Sequence, residues 1–237
     1  MTMKFVTRTG WLAAAGSLLL LTAQVQAQQP NTPTGSAHTH DHAHDHDHDH
    51  AHGHSHDPVS QDIRRGIFED AQIKERTLSD WEGDWQSVYP YLQDGTLDVV
   101  MEHKAKNGSK TAEEYRAEYE TGYRTNVDRI VIDGSSVTFH DGDQVMTGMY
   151  EDDGYEILTY KAGNRGVRYV FEKVEGDDAA PDFIQFSDHG IFPEDASHYH
   201  LYRGDDRPAL LEEVTNWPTY YPSSLSSEEI AQEMLAH

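Results

Sequence analysis

The chain has 237 residues, no cysteine, and 18 Lys+Arg against 42 Asp+Glu, a formal net charge of −24 at pH 7. A surface this acidic repels nucleic acid and anionic membranes and attracts cations, so neither of the first two is expected as a partner. Without cysteine there are no disulfides, no thiolate metal ligands and no cysteine for a lipid anchor, so any metal must be held by His and carboxylate.

Residues 1–27 read as an export signal. Lys4 and Arg8 supply a positive start, Trp11 to Ala23 an apolar run, and Val25-Gln26-Ala27 small residues before a cut at Ala27/Gln28. The apolar run falls short of the roughly 20 residues that span a bilayer. Cleavage would leave 16 basic against 42 acidic residues, a balance of −26. Residues 28–57 then pass from a Gln/Pro/Thr/Gly stretch into a tract holding ten of the sixteen histidines. These are His38, His40, His42, His44, His46, His48, His50, His52, His54 and His56, alternating mostly with Asp or Ala. Imidazole is a ligand for zinc, copper and nickel, and so polar a tract cannot bury a core. It is therefore expected to stay disordered and to capture metal. An engineered tag would be a pure His run at a terminus, whereas this tract alternates and follows an export signal.

From about Pro58 to His237 the chain reads as one domain. Helices are expected over Gln61–Ile73, from the spacing of Ile63, Ile67 and Ala71, and over Leu97–Lys106. A third is expected over Thr111–Tyr123, opened by a Thr111/Glu114 capping box. The middle then turns into short β-rich runs separated by DG, DG, DDG and KAGNRG: VDRIVI, SVTFH, QVMTGMYE, YEILTY and VRYVFEKV. Asp-Gly between alternating apolar runs signals hairpins. Two further strands are expected at Asp182–Asp188 and Ser197–Arg203, then helices at Pro208–Val214 and Ser226–Ala236, the latter with a Ser226/Glu229 capping box. The expected architecture is mainly β, a small antiparallel barrel flanked by N- and C-terminal helices. Trp81, Trp85, Tyr89 and Tyr91 are expected to pack in the core.

The sharpest pattern outside the tract is H-x₈-H-x-H. His198 and His200, two apart, share one face of a strand, and a hairpin across GIFPEDAS would bring His189 beside them at the barrel mouth. Three imidazoles at one point give the His₃ face of a tetrahedral site with one position open; the alternative is three ordinary histidines. His103 and His140 lack such partners. His237 is either a frayed last residue or a fourth ligand. Asp188 is either an acceptor for an imidazole N–H or a solvated turn carboxylate.

At these residues the chain resembles the ZinT (YodA) family of periplasmic zinc- and cadmium-binding proteins. The strings that carry the resemblance are RTLSDWEGDWQSVYPYLQDGTLD (76–98), DGYEILTYKAGNRGVRYVFE (153–172), IQFSDH (184–189), SHYH (197–200) and NWPTYYPSSLSSEEIAQEML (216–235). The resemblance implies a lipocalin-like (calycin) barrel, a periplasmic location, and Zn2+ held by His189, His198 and His200. It also implies a transient partnership with the solute-binding protein of an ABC zinc importer when zinc is scarce. Cd2+, Ni2+ and Cu2+ are expected to enter the same site in vitro, Cu2+ more tightly by the Irving–Williams order. The His/Asp tract is longer than the family pattern. Two other functions fit parts of the sequence: a zinc hydrolase with Glu194 or Asp195 as base, and a barrel carrying a small apolar ligand.

Overall fold

Eight antiparallel strands pair in chain order and close on themselves. They are β1 (Gly83–Ser87), β2 (Arg129–Asp133), β3 (Ser136–Asp141), β4 (Gln144–Thr159), β5 (Arg165–Gly176), β6 (Phe183–Ser187), β7 (Tyr199–Gly204) and β8 (Thr219–Pro222). This computed structural model describes residues 58–160 and 163–236. The export signal, the ten tract histidines and His237 lie outside the described residues.

Two of the hairpins follow from the Asp-Gly signals. Asp133 pairs with Ser136 and Asp141 with Gln144, leaving two-residue loops in which Gly134 and Gly142 take φ of 58° and 57°. That left-handed start matches the twist of the flanking strands. The DDG signal does something else. Instead of turning the chain, residues 152–155 form a bulge with Gly154 at φ 82°, and β4 runs on to pair Tyr155 with Tyr169. An extra residue in one strand twists the ladder without ending it, so the two strands expected there are one.

Closure depends on β1 and β8, which the hydrophobic pattern does not announce. Gln86 pairs with Tyr221 and Ser87 with Tyr220. β8 is four residues, following Pro218 and ending in Pro222, too short to display alternation. The interior is filled by aromatic side chains, among them Trp81, Phe139, Phe171, Phe186 and Tyr199, all at or below 1% exposure. Trp81 stacks on Phe186 with ring centres 4.7 Å apart, and Trp85 Nε1 donates to the Trp81 carbonyl at 2.8 Å. Small barrels are packed this way, which leaves no support for the apolar-carrier reading. Tyr89 and Tyr91 belong elsewhere, half-buried against a second cluster outside the barrel.

Six helices lie among the described residues. α1 (Pro58–Arg64) is shorter than the expected Gln61–Ile73. Gly66 takes φ 76°, and a Cβ there would stand 2.3 Å from the Arg165 carbonyl oxygen. The chain turns at that glycine to press on β5, so Ile63 reaches the core from α1 and Phe68 and Ile73 from the backbone beyond it, while Ile67 is 58% exposed. α2 (Tyr89–Gln93), α3 (Asp98–Asn107), α4 (Ala112–Gly122) and α6 (Ser227–Ala236) build the second cluster. It centres on Leu92, Leu97, Val100, Tyr123 and Ile230, and packs on Tyr221 of β8. Both expected capping boxes form, at Thr111/Glu114 and Ser226/Glu229. α5 (Arg207–Glu212) leads toward β8.

Candidate metal site

Alternation along β7 decides where the histidines point. Tyr199 and Leu201 are buried in the barrel core, so His198 and His200 stand on the opposite face of the strand. The neighbours agree: His198 stacks on Tyr221 at 5.1 Å and 10°, and His200 meets Thr219, both on the outward face of β8. His198 and His200 therefore stand on the outer face of the β6–β7–β8 wall rather than inside the barrel, at the end where β6 stops and β7 begins.

His189 joins them from the far end of β6. The ring centres of His189 and His200 are 5.4 Å apart, of His189 and His198 6.0 Å, and of His198 and His200 6.1 Å. Three imidazoles bound to one zinc at Zn–N of roughly 2.0–2.1 Å have ring centres about 5 Å apart. The triangle is thus slightly open. Among the described residues no three His, Asp or Glu side chains are already drawn tight enough to enclose an ion, and a small inward rotation of these rings is what an ion would require. His103 is exposed on α3 beside Asn107, and His140 is the last residue but one of β3; neither joins the triad.

The ring of His200 is held in the tautomer a metal needs. Its Nδ1 is 2.8 Å from Thr219 Oγ1, and that hydroxyl donates to the Trp217 carbonyl at 3.0 Å. With its only proton committed there, Thr219 Oγ1 accepts from Nδ1–H, which leaves Nε2 with a free lone pair. A fixed ring of this kind is a usual support for a metal ligand. Thr219 carries no signal of its own in the sequence.

His189 is held differently. It has φ 65°, the one positive φ outside glycine among the described residues, a conformation that costs roughly 1–3 kcal/mol. The clamp that holds it is Arg76, whose side chain is wholly buried. Its Nε donates to Asp80 at 2.7 Å, one Nη to Asp188 at 2.8 Å and the other to the Glu194 carbonyl at 2.9 Å. The guanidinium lies 4.1 Å over the ring of Trp81, and Trp81 Nε1 donates to the second Asp188 oxygen at 3.1 Å. Asp188 also accepts from the Gly190 N–H. So Asp188 is neither an imidazole acceptor nor a solvated turn residue. It pins the backbone on both sides of His189. Sequence reasoning missed Arg76 because its partner lies 112 positions away; the one trace is its place at the head of the first family-like string.

Burial shapes the protonation of these rings. It pushes the His200 imidazole down to about 3, with the His189 and Arg168 charges adding to the effect. His189 is also lowered by burial; nearby Asp188 opposes this and Arg64 reinforces it. An unfolded imidazole takes its proton near pH 6.5. Between about 6.5 and 3 the unfolded chain therefore binds a proton that folded His200 refuses, and stability falls as pH falls through that window. The expected result for metal-free protein is a decline of at most about 1.4 kcal/mol per pH unit from His200. Urea midpoints from pH 7 to 4 should fall less steeply in His200→Asn; parallel slopes would show a solvated ring.

The site also borders a cavity of about 320 Å³ between the barrel wall, α1 and the segment before β8. His189, His200, Ser187, Tyr202 and Trp217 line it. Glu194 and Asp195 do not, so the base required by the hydrolase reading finds no support in the geometry.

The family described as ZinT (YodA) periplasmic lipocalin-like zinc-recruitment matches residues 59–237. The "Probable metal-binding protein YrpE" of Bacillus subtilis is 59% identical over 182 residues, 76% of this chain and 72% of that protein. The "Zinc-binding lipoprotein AdcA" of Streptococcus pneumoniae is 51% identical over 177 residues, 74% of this chain; the match spans only 35% of the AdcA chain. The crystal structure of the Zn(II)-bound ZinT-like domain of that AdcA is similar with a TM-score of 0.71 at 50% identity, covering 73% of this chain and 97% of the domain.

Proposed function

This chain belongs to the ZinT (YodA) family, described as periplasmic, lipocalin-like and zinc-recruiting, and on that premise we propose that it binds Zn2+ through His189, His198 and His200 and passes it to an ABC importer's solute-binding protein. The observation that carries the reading is the triangle of imidazole centres at 5.4 to 6.1 Å. Neutral imidazoles at pH 7 need lose no proton to bind an ion. Three of them leave a position through which an acceptor's ligand can enter, which a closed four-ligand site would not.

The export signal and the acidic surface suit a protein that gathers cations outside the cytoplasm, and the His/Asp tract serves as its capture arm. In AdcA a ZinT-like domain is part of a longer zinc-binding lipoprotein, which supports a partnership between this fold and a second zinc-handling unit. His237 is the proposed alternative donor for the open position.

The test of delivery mixes zinc-loaded full chain with the metal-free solute-binding subunit beside a chelator of matched affinity. Transfer to the subunit is expected to be faster than to the chelator, because the acceptor's ligand enters before the donor's leave. Equal rates would reduce this protein to a passive buffer.

A further inference from the structure

The cavity beside the three imidazoles has the wrong charge for a site that receives a bare cation. Arg64, Arg65 and Arg165 line it together with His189 and His200, and no Asp or Glu does, although the chain holds 42 acidic residues against 18 basic ones. Arg65 and Arg165 pair with Asp62 and Asp70, but those carboxylates stand outside the lining, 46% and 74% exposed. Arg64, exposed at the end of α1, interacts through charge with the Glu194 carboxylate, which stands beside Gly190 and outside the lining. Guanidinium groups this close to a dication repel it unless negative charge comes between them.

We propose that this cavity binds a small organic di- or tricarboxylate, one oxygen of which fills the position the imidazoles leave open, so that the protein holds zinc as its carboxylate complex. The inference rests on the zinc reading above. The planar fork of arginine matches a carboxylate with two parallel hydrogen bonds, and Ser187 adds a hydroxyl on the same wall. A volume of about 320 Å³ is at the small end of the range for organic ligands. A polycarboxylate can reach from the arginine rim to the metal, whereas phosphate or acetate can occupy only one end. Oxygen donors are also ones that zinc accepts in its fourth position.

The experiment uses the full chain in two steps. Zinc affinity is first measured by chelator competition in carboxylate-free buffer, for wild type and for Arg64→Ala/Arg65→Ala. The double variant is expected to bind zinc at least as tightly as wild type, since neither arginine is a ligand and both repel a dication; a wild type with no tight site at one zinc per chain sinks the zinc reading at this step, before any carboxylate is added. Tricarballylate, citrate, acetate and phosphate are then titrated into zinc-loaded and metal-free protein by calorimetry, with tryptophan fluorescence, to which Trp217 of the cavity wall contributes, as a second readout. The tricarboxylates should bind the loaded wild type, and the double variant should lose at least about tenfold in their affinity. Binding to metal-free wild type should be weaker but show the same dependence on the arginines. No tricarboxylate binding up to about 10 mM, a range that reaches even very weak sites, would overturn the proposal. So would equal affinity in the double variant, or phosphate binding as tightly as tricarballylate.

Discussion

Replacing His200 with alanine is expected to lower zinc affinity at the core site by more than about 100-fold, because groups that merely orient a ligand already cost 10–100-fold when removed. The fold should survive. The His200 ring borders a cavity rather than the core, and its one side-chain hydrogen bond in the structure joins Nδ1 to Thr219 at 2.8 Å. Losing such a bond costs about 0.5–1.5 kcal/mol. Chelator competition and urea unfolding of the same variant separate the two effects. The His/Asp tract must be accounted for in that measurement, since its ten histidines are proposed to capture metal as well; competition at one zinc per chain isolates the tightest site. Unchanged affinity at that stoichiometry would remove His200 from the ligand set. A variant that unfolds without metal would make the histidine structural instead.

The largest effect on stability is expected at a residue that cannot be a metal ligand. Arg76→Met leaves the Asp188 side chain, 4% exposed, and that of Asp80, 11% exposed, without their shared counter-charge. Removing one partner of a buried ion pair costs about 3–5 kcal/mol, because the remaining charge stays desolvated. Asp188 would keep only the Trp81 and Gly190 N–H groups. The Glu194 carbonyl would lose its donor, so both ends of the loop after His189 would loosen. Zinc affinity should fall by about 10–100-fold along with stability, as for other groups that orient a ligand. Pairing Arg76→Met with Asp188→Asn should recover part of the stability by removing the stranded charge. A loss below about 1 kcal/mol in the single variant, the scale of an ordinary surface change, would mean that water enters the clamp and solvates Asp188.

The hydrolase alternative loses ground on geometry, since Glu194 is drawn to Arg76 through its backbone carbonyl and its side chain does not line the cavity. The relatives are described as metal-binding or zinc-binding proteins, a description consistent with recruitment.

The three histidines were legible because their information is local. An i, i+2 pair shares a strand face whatever the fold, and a short hairpin returns the chain to His189. Asp-Gly turns and both capping boxes were legible for the same reason: each is written in four consecutive residues or fewer. The capping box at Thr111 and Glu114 and the turns at Gly134 and Gly142 formed where the pattern put them. What remained hidden depends on residues far apart in the chain. The side of the barrel wall on which His198 and His200 stand was settled by Tyr199 and Leu201 winning the core, a competition that period-two alternation leaves undecided. The helix expected through Ile67 stopped at Arg64 because Gly66 had to meet β5 across about a hundred residues of chain. DDG became a bulge because β5 continued to offer partners beyond it. Composition and spacing by themselves determined that this is an acidic, cysteine-free chain that brings three imidazoles together on a small β-barrel. Only the tertiary structure decided that Arg76 would clamp Asp188, that Thr219 would set the tautomer of His200, and that three arginines would ring the neighbouring cavity, because burial and charge pairing are settled by which distant segments pack together.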